Sequence, residues 1–297
     1  MDRGEELVPS DPTITYANGK SAREMRNAYP VYYVKAAYDI AKKFNGDDFF
    51  LMPRAGFPGS SQYAGFWGGD IAAPQEGLRC AILAAQKAAI LGYPIWGSDI
   101  GGYWQGEMDR EVTARWLAFG CFNPIMEFGP TENRAPWDMA KPPHYDTTLL
   151  ATWRLYAVIH EKLADYSHAL AKEAHDTGMP PIRPLFLEYG NQREAWQHWQ
   201  TFTYGGDILV AAIWEKGTTI QNVYLPAGAR WRDAWQPDRT YEGGQEITIN
   251  TPFYKIPIFV KEGATIDLGD LNKVFEESMQ KVAVRPNLEV LQKGILH

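Results

Sequence analysis

The feature that most constrains the fold is an alternation of short apolar segments with helix-length amphipathic segments over residues 21–188. Each apolar segment has the length of a buried strand, and the chain between two of them is long enough for one crossover helix. The alternation predicts parallel βα units whose polar loops gather at one edge of the sheet, where α/β enzymes place their sites. The predicted strands are residues 49–53, 93–98, 122–128 and 182–188, and the predicted helices are residues 21–45 (interrupted near Pro30), 74–91, 107–119 and 147–176.

The pattern changes after these units. Short segments rich in β-branched and aromatic residues follow, separated by Gly and Pro turns, which is typical of a small antiparallel β domain. These segments are GDILVAAI, TIQNVYLP, ARWRDAW, QEITINT and KIPIFVKEG. We expect an α/β unit over residues 1–204, an all-β unit over 205–267 and a charged tail over 268–297 with a helix near 271–282.

The composition argues against several classes of protein. The net charge is −7 and no basic stripe is present that could neutralise phosphates, which argues against nucleic-acid binding. No apolar run reaches the roughly 18 residues of a membrane-spanning helix, and the N-terminus lacks signal-peptide features, so we expect no membrane partner and a cytoplasmic protein. The two cysteines, Cys80 and Cys121, are expected to be buried free thiols.

A glycine-rich segment ends at Asp70. Residues 54–70 read RAGFPGSSQYAGFWGGD, from Arg54 after a predicted strand to an Asp that follows Trp67 closely. Glycines let a backbone turn tightly and approach a ligand closely. A carboxyl group beside an aromatic ring in a partly dry site is suited to general-acid chemistry. The alternative is that Asp70 caps the helix that begins near Pro74, and position alone does not separate the two.

Two further acidic residues are candidates. Asp99 follows a predicted strand in GSDIGGYW, where its carboxylate could accept hydrogen bonds from two sugar hydroxyls or satisfy N–H groups of its own turn. Asp2 lies in DRGEE, and an acidic residue near a chain end is by itself usually solvated. Chemistry alone leaves both alternatives open.

Taken in order, the segments of this chain resemble glycoside hydrolase family 31 over residues 1–266. The family has a D-x-G-E nucleophile motif, an R-S-x-x-G-S-Q segment ending in W-x-G-D with the acid/base, and a D-I-G-G-F segment whose Asp contacts substrate. It also has R-P-L-F-x-E at its last barrel strand and G-D-x-L-V-A-P at the entry to its β domain. The matching segments here are DRGEELVPSD, RAGFPGSSQYAGFWGGD, GYPIWGSDIGGY, RPLFLEYGN and GGDILVAAI.

The resemblance implies the C-terminal portion of a (β/α)8 TIM barrel followed by a small antiparallel β-sandwich domain. It implies a retaining enzyme that hydrolyses α-glucosides or α-xylosides of oligosaccharides, without metal or organic cofactor. In that mechanism Asp2 is the nucleophile and Asp70 the acid/base, with carboxyl groups ~5–5.5 Å apart. Arg54, Trp67 and Asp99 are implied to line the sugar subsite.

One segment departs from the family. After the third of these strands the family usually has R-x-H, whose His contacts the sugar, whereas this chain reads NPIMEFGPTENRAPW. Glu127 stands in place of the Arg and Gly129 in place of the His. Glu127 is therefore a candidate substrate-binding residue, or the partner of Arg134 in a structural ion pair.

A closed barrel has eight strands, and this chain supplies fewer. We therefore expect a truncated or split enzyme, with the missing N-terminal half of the barrel as a partner. An α-transglycosylase that uses the same two carboxylates is an alternative to the hydrolase. A non-catalytic fragment that binds sugar or is inactive is another.

Overall fold

The first half of the chain forms parallel segments, as the alternation predicts, but one of its strands lies at 66–67, inside the glycine-rich segment where no strand was predicted. The computed structural model describes residues 11, 13–106, 109–128 and 146–283. Within them, β1 (Phe66–Trp67) pairs in parallel with β2 (Trp96–Gly97). The two strands end at the same edge of the sheet, so the loops that follow them are neighbours.

Two further segments flank this pair. The backbone carbonyls of Leu51 and Pro53 accept hydrogen bonds from the β1 side, at 3.1 and 3.3 Å. On the β2 side, Glu127 forms an isolated parallel bridge with Asp99. The described chain therefore places four parallel segments side by side, in the order 51–53, β1, β2 and 125–127.

Proline explains why the strand predictions failed in detail. The predicted strands at 49–53 and 122–128 are wrong, since neither is a regular strand, and the predicted strand at 93–98 is reduced to β2. Pro53, Pro94 and Pro124 each lack the N–H group that a continuous ladder needs. The segments stay parallel and adjacent, but only β1 and β2 pair regularly.

The helices follow their predicted positions closely. The first helix, α1 (Ala22–Asn45), begins with a capping box in which the Ser21 and Glu24 side chains bond each other's backbone N–H. The predicted interruption at Pro30 is wrong, because α1 continues through it with Pro30 buried on the same face as Val34. The other helices of this region are α2 (Gln75–Ile90), α3 (Arg110–Gly120), α4 (Thr147–Lys162) and α5 (Ala164–Thr177).

The single helix predicted at 147–176 is two helices, since α4 and α5 meet at the buried Leu163. The predicted stop is confirmed: α5 ends at Gly178, whose φ of +81° suits a residue without Cβ. Cys121 is buried as expected, but Cys80 is exposed on the solvent face of α2. None of the described helices combines the length and the apolar character needed to cross a membrane.

The second half of the chain is an antiparallel β domain, as predicted. A six-stranded sheet has the order β3-β4-β5-β10-β7-β8, and β6 pairs with β9 in a second, two-stranded sheet. The strands are β3 (Ile182–Pro184), β4 (Thr201–Tyr204), β5 (Ile208–Ala211), β6 (Ile220–Leu225), β7 (Arg230–Asp233), β8 (Thr240–Glu242), β9 (Gln245–Asn250) and β10 (Ile258–Lys261).

The six-stranded sheet has a core on each face. Its side chains on one face join the barrel helices in the larger core, which includes Trp116 of α3 and Phe202 of β4. On the other face, Trp231 and Phe259 pack against Val223 of β6, as expected of a sandwich. The fold is therefore a portion of a TIM barrel followed by a β domain.

The strand predicted at 182–188 is shorter than predicted and belongs to a different sheet. Only β3 is extended, and the next residues form the helix α6 (Leu185–Tyr189). β3 pairs antiparallel with β4, so it belongs to the six-stranded sheet and not to the parallel set. A final helix, α7 (Leu271–Ala283), confirms the helix expected in the tail.

A loop of the β domain is fastened to the start of α3. The Lys216 ammonium lies 2.5 Å from Asp109, which caps α3, and the Lys216 N–H donates to the Gln75 side chain. The Gly217 N–H donates to Glu111 in the first turn of α3, at 2.8 Å. We call residues 215–218 the clamp loop. It ties the β domain to the helix that follows the loop after β2.

Candidate active site

The strand ends bring five of the predicted residues to one edge. Arg54 follows the segment 51–53, Trp67 ends β1, and Asp70 lies three residues later. Asp99 follows β2, and Glu127 pairs with Asp99 in an isolated parallel bridge. Because the segments are parallel and adjacent, these side chains share the carboxyl edge, where barrel enzymes carry out their chemistry.

Glycines allow the loops at this edge to pack closely. Gly69 has a φ of +70°, and a Cβ there would lie 2.7 Å from the Arg54 side chain. Gly102 has a φ of +79°, and a Cβ there would lie 2.4 Å from the Cα of Ala73. A larger residue at either position would force its neighbour to move. Gly69 therefore lets the two ends of the segment 54–70 meet, and Gly102 sets the distance between the loop that carries Asp70 and the loop that follows Asp99.

Asp70 is held by an arginine and open to solvent. The Arg54 Nη1 donates to the Asp70 Oδ1 at 3.0 Å, and the Asp70 side chain is 42% exposed. The Arg54 guanidinium also lies 5.7 Å from the centre of the Trp67 ring. The first residue of α2 is Gln75, and the residue before it is Pro74, so Asp70 does not cap that helix. The alternative role is thereby removed, and the carboxylate faces the site.

Asp99 and Glu127 form the buried end of the site. Asp99 is 5% exposed, and its Oδ2 has no hydrogen-bond partner among the described residues. The Oε1 of Glu127 is also buried without such a partner. Burial of a polar atom without a hydrogen bond is unfavourable, and each of these atoms could accept or share a proton with a ligand hydroxyl. The alternative partner of Glu127, Arg134, lies outside the described residues.

Burial changes the ionisation of both carboxyl groups. Burial, followed by the charges of Glu127 and Asp70, raises the pKa of Asp99 from 3.8 to about 7. Burial also raises the pKa of Glu127. At neutral pH the pair therefore carries less negative charge than two exposed carboxylates would, and it can donate as well as accept hydrogen bonds.

Sequence reasoning missed one residue at this edge. The indole Nε1 of Trp104 donates to the backbone carbonyl of Asp70 at 2.8 Å, and its ring is 42% exposed. The signal was present, because Trp104 directly follows the D-I-G-G-Y segment after β2. Its pairing with the residues after Asp70 could not be read from one sequence.

The sixth predicted residue, Asp2, lies outside the residues that the structure describes. Its role as nucleophile and its separation from Asp70 remain predictions. The described residues thus supply the acid/base candidate and the sugar-binding candidates of the proposed mechanism.

The chain is similar to enzymes that act on α-linked sugars. It is 31% identical over 268 residues to the 1,3-alpha-isomaltosidase of Kribbella flavida, covering 88% of this chain and 36% of that protein. It is 31% identical over 270 residues to the isomaltosyltransferase of Sporosarcina globispora, covering 88% and 24%. The solved structure of the cycloalternan-forming enzyme from Listeria monocytogenes, in complex with pentasaccharide substrate, superposes with a TM-score of 0.83 at 30% identity, covering 89% and 25%. The chain therefore spans between a quarter and about a third of the length of these relatives.

Two family profiles match the chain in consecutive stretches. The Glycosyl hydrolases family 31 TIM-barrel domain matches residues 1–170, and the Glycosyl hydrolase family 31 C-terminal domain matches residues 178–266. These matches agree with the parallel segments in the first stretch and the antiparallel sheets in the second. The chain belongs to glycoside hydrolase family 31.

Proposed function

We propose that this site hydrolyses α-glycosidic bonds of neutral oligosaccharides with retention of configuration, with Asp70 as acid/base and Asp2 as nucleophile. The observation that carries the proposal is the position of Asp70: Arg54 holds its half-exposed carboxylate at the edge where Asp99 and Glu127 each have one buried oxygen without a partner among the described residues. The names of the relatives support the same reaction class.

The reaction proceeds in two displacements. Asp70 donates its proton to the glycosidic oxygen while the bond from that oxygen to the anomeric carbon breaks, and the leaving group departs as a neutral alcohol. The Asp2 carboxylate bonds to the anomeric carbon from the opposite face, giving a glycosyl ester. Asp70, now ionised, takes a proton from water, whose oxygen attacks the anomeric carbon and releases Asp2.

The buried carboxyl groups select the sugar. A pyranose between Asp70 and the buried end of the site would place hydroxyls within reach of the Asp99 Oδ2 and the Glu127 Oε1, which gives each unpartnered atom a hydrogen bond. Hydroxyl groups are neutral and act as donors and acceptors, which matches a partly protonated carboxyl pair. α-Glucosides and α-xylosides have this chemistry.

Transfer to a second sugar is the alternative outcome of the same chemistry. The glycosyl ester can be attacked by a sugar hydroxyl instead of water, with Asp70 as the base in both cases. The similarity to an isomaltosyltransferase supports this alternative. The ratio of glucosyl transfer to hydrolysis distinguishes the two.

We propose that the partner of this chain lies beside residues 51–53. Among the described residues these form the outer segment of the parallel set, and the neighbouring Phe50 is exposed, whereas a closed barrel has eight strands. Further parallel strands supplied by the N-terminal half of the barrel would cover this side.

The test is turnover by the purified chain on 4-nitrophenyl α-glucoside and α-xyloside, compared with D70N. We expect D70N to lower kcat by on the order of 10²–10⁴, because no base then activates the water that hydrolyses the glycosyl ester. With α-glucosyl fluoride, which needs no acid, azide should restore turnover by D70N and give the α-glucosyl azide.

The matched control is D39N, which changes an exposed aspartate on α1 and should leave turnover unchanged. Equal activity of D70N and the unmodified chain would contradict the role of Asp70. Sugar binding in a calorimeter without any turnover would instead support the non-catalytic alternative.

A further inference from the structure

Trp104 is the aromatic side chain next to the acid/base candidate, and its backbone is fixed in place. Its carbonyl accepts the Ala73 N–H at 2.8 Å, and it forms a parallel bridge with Ala72. The preceding residue, Tyr103, donates its N–H to the Ile71 carbonyl at 2.7 Å. The loop after β2 is therefore paired with the three residues that directly follow Asp70.

The backbone beyond Trp104 is also specialised. Gln105 has a φ of +59°, and it is the only residue other than glycine with a positive φ in the described part of the chain. Gly106 follows with a φ of +138°. A left-handed non-glycine residue is unfavourable and persists where the surroundings require it. This turn directly follows Trp104 in the loop that is paired with the residues after Asp70.

The indole ring is presented to solvent without an unmet polar atom. Its Nε1 is already bonded to the Asp70 carbonyl, which also fixes the ring's orientation. The ring belongs to neither hydrophobic core, and it is 42% exposed. An exposed, oriented aromatic ring with little rotamer freedom is suited to stacking against the C–H face of a sugar.

The exposure of the site residues indicates on which side of the scissile bond the Trp104 ring lies. Asp99 and Glu127 mark the buried end, where one sugar would be held, and Asp70 reaches the glycosidic oxygen. Trp104 is bonded to the backbone of Asp70 and, like the Asp70 side chain, is 42% exposed, whereas Asp99 is buried. A group attached through that oxygen would extend from Asp70 toward the indole.

We infer that Trp104 is the floor of the leaving-group subsite and selects substrates whose leaving group is itself a sugar ring. The inference rests on the proposed function. It concerns the leaving group, which is the part of the substrate that the buried carboxyl groups do not contact. The same ring would hold an acceptor sugar during transfer, because leaving group and acceptor occupy one position in the two directions of the reaction.

The experiment compares two substrates of the chain that differ only in the leaving group. Isomaltose releases a glucose, whereas methyl α-glucoside releases methanol, which needs the same proton from Asp70 but has no ring to stack. We expect W104A to lower kcat/KM for isomaltose by about 10- to 100-fold and for methyl α-glucoside by less than about threefold. W104F keeps a ring but lacks the N–H, and should lose less than about tenfold on isomaltose.

Trp196 offers a matched control. Its Nε1 also donates to a backbone carbonyl, that of Gly190, and it is 62% exposed, but it lines a groove beside Ile90 at the far end of α2. W196A should leave both substrates unchanged. Thermal unfolding of each variant checks that the comparison is made on folded protein.

The outcomes separate the two proposals. An equal loss on both substrates would mean that Trp104 only holds Asp70, and unchanged isomaltose turnover by W104A would mean that the ring contacts no leaving group; either result overturns the inference. If W104A does not fold, a W104F loss equal on both substrates overturns it. Absence of turnover of both substrates by the unmodified chain would overturn the proposed function, and the inference with it.

Discussion

Two buried polar clusters of this chain differ in how completely their charges are paired. At the β3 end of the six-stranded sheet, the buried Arg183 pairs with Glu188 at 2.6 Å and with Glu173 at 2.5 Å, and Thr203 donates to the second oxygen of Glu188. At the barrel edge, Asp99 and Glu127 each keep a buried oxygen without a partner among the described residues. The first cluster is complete without a ligand and stabilises the fold, whereas the second is prepared for one.

The largest expected effect comes from breaking the complete cluster. Arg183→Ala leaves two carboxylates without their cation, one of them mostly buried, so the free energy of unfolding should fall by about 3–5 kcal/mol. Urea denaturation measures it. The control, Lys172→Ala, breaks an exposed pair with Asp176 and should cost about 0–1 kcal/mol. Similar effects of the two changes would show that the Arg183 cluster is not a structural one.

The buried carboxyl group of Asp99 should make the folded state less stable as the pH rises. The pKa of Asp99 is raised from 3.8 to about 7, so the folded state holds a proton that the unfolded state has released between these values. The Asp99 side chain therefore destabilises the fold progressively as the pH rises from about 4 to about 7, by at most on the order of 4 kcal/mol.

Unfolding experiments on the unmodified chain and D99N at pH 5 and pH 8 test this sign. The unmodified chain should lose stability relative to D99N at the higher pH, because the amide cannot ionise. D39N, an exposed aspartate, should show no such difference. A difference that grows in favour of the unmodified chain at pH 8 would mean that Asp99 has a partner that stabilises its charge.

The smallest expected effect tests whether Glu127, the second carboxyl group of this cluster, contacts the sugar. Glu127→Gln removes one negative charge from the sugar site, so the ratio of kcat/KM for an aryl α-glucuronide to that for the aryl α-glucoside should rise about tenfold. The rise should be greater at pH 8 than at pH 5, because burial raises the pKa of Glu127 and ionisation is incomplete at the lower pH. Glu246→Gln, on the exposed β9, is the control, and an unchanged ratio would place Glu127 outside the sugar site.

Local motifs made the site loops predictable, because glycine, proline and charged residues act through the backbone near them. The segment from Arg54 to Asp70 and the segment around Asp99 could be found by composition and family resemblance. Glu127 was found as a departure from the family. Its burial and missing partner depend on neighbouring segments, which a single sequence does not reveal.

The failures have a common physical origin in tertiary context. Pro30 lies inside α1, because its buried side chain lets the helix continue where local propensity predicts a break. Arg183 and its neighbours have the composition of a barrel strand, but β3 pairs with β4 in the other direction. Trp104 carries no local mark of its contact with Asp70, which joins residues 34 positions apart.

The clamp loop has a consequence for how family members could recombine. Lys216 and Gly217 bind the first turn of α3, so the β domain supplies part of that helix's start. A chimaera joined near residue 180, with the β domain of another family member, would have to match two contacts at once. One is the larger hydrophobic core, which joins α3 to β4, and the other is the polar contact between the clamp loop and the start of α3.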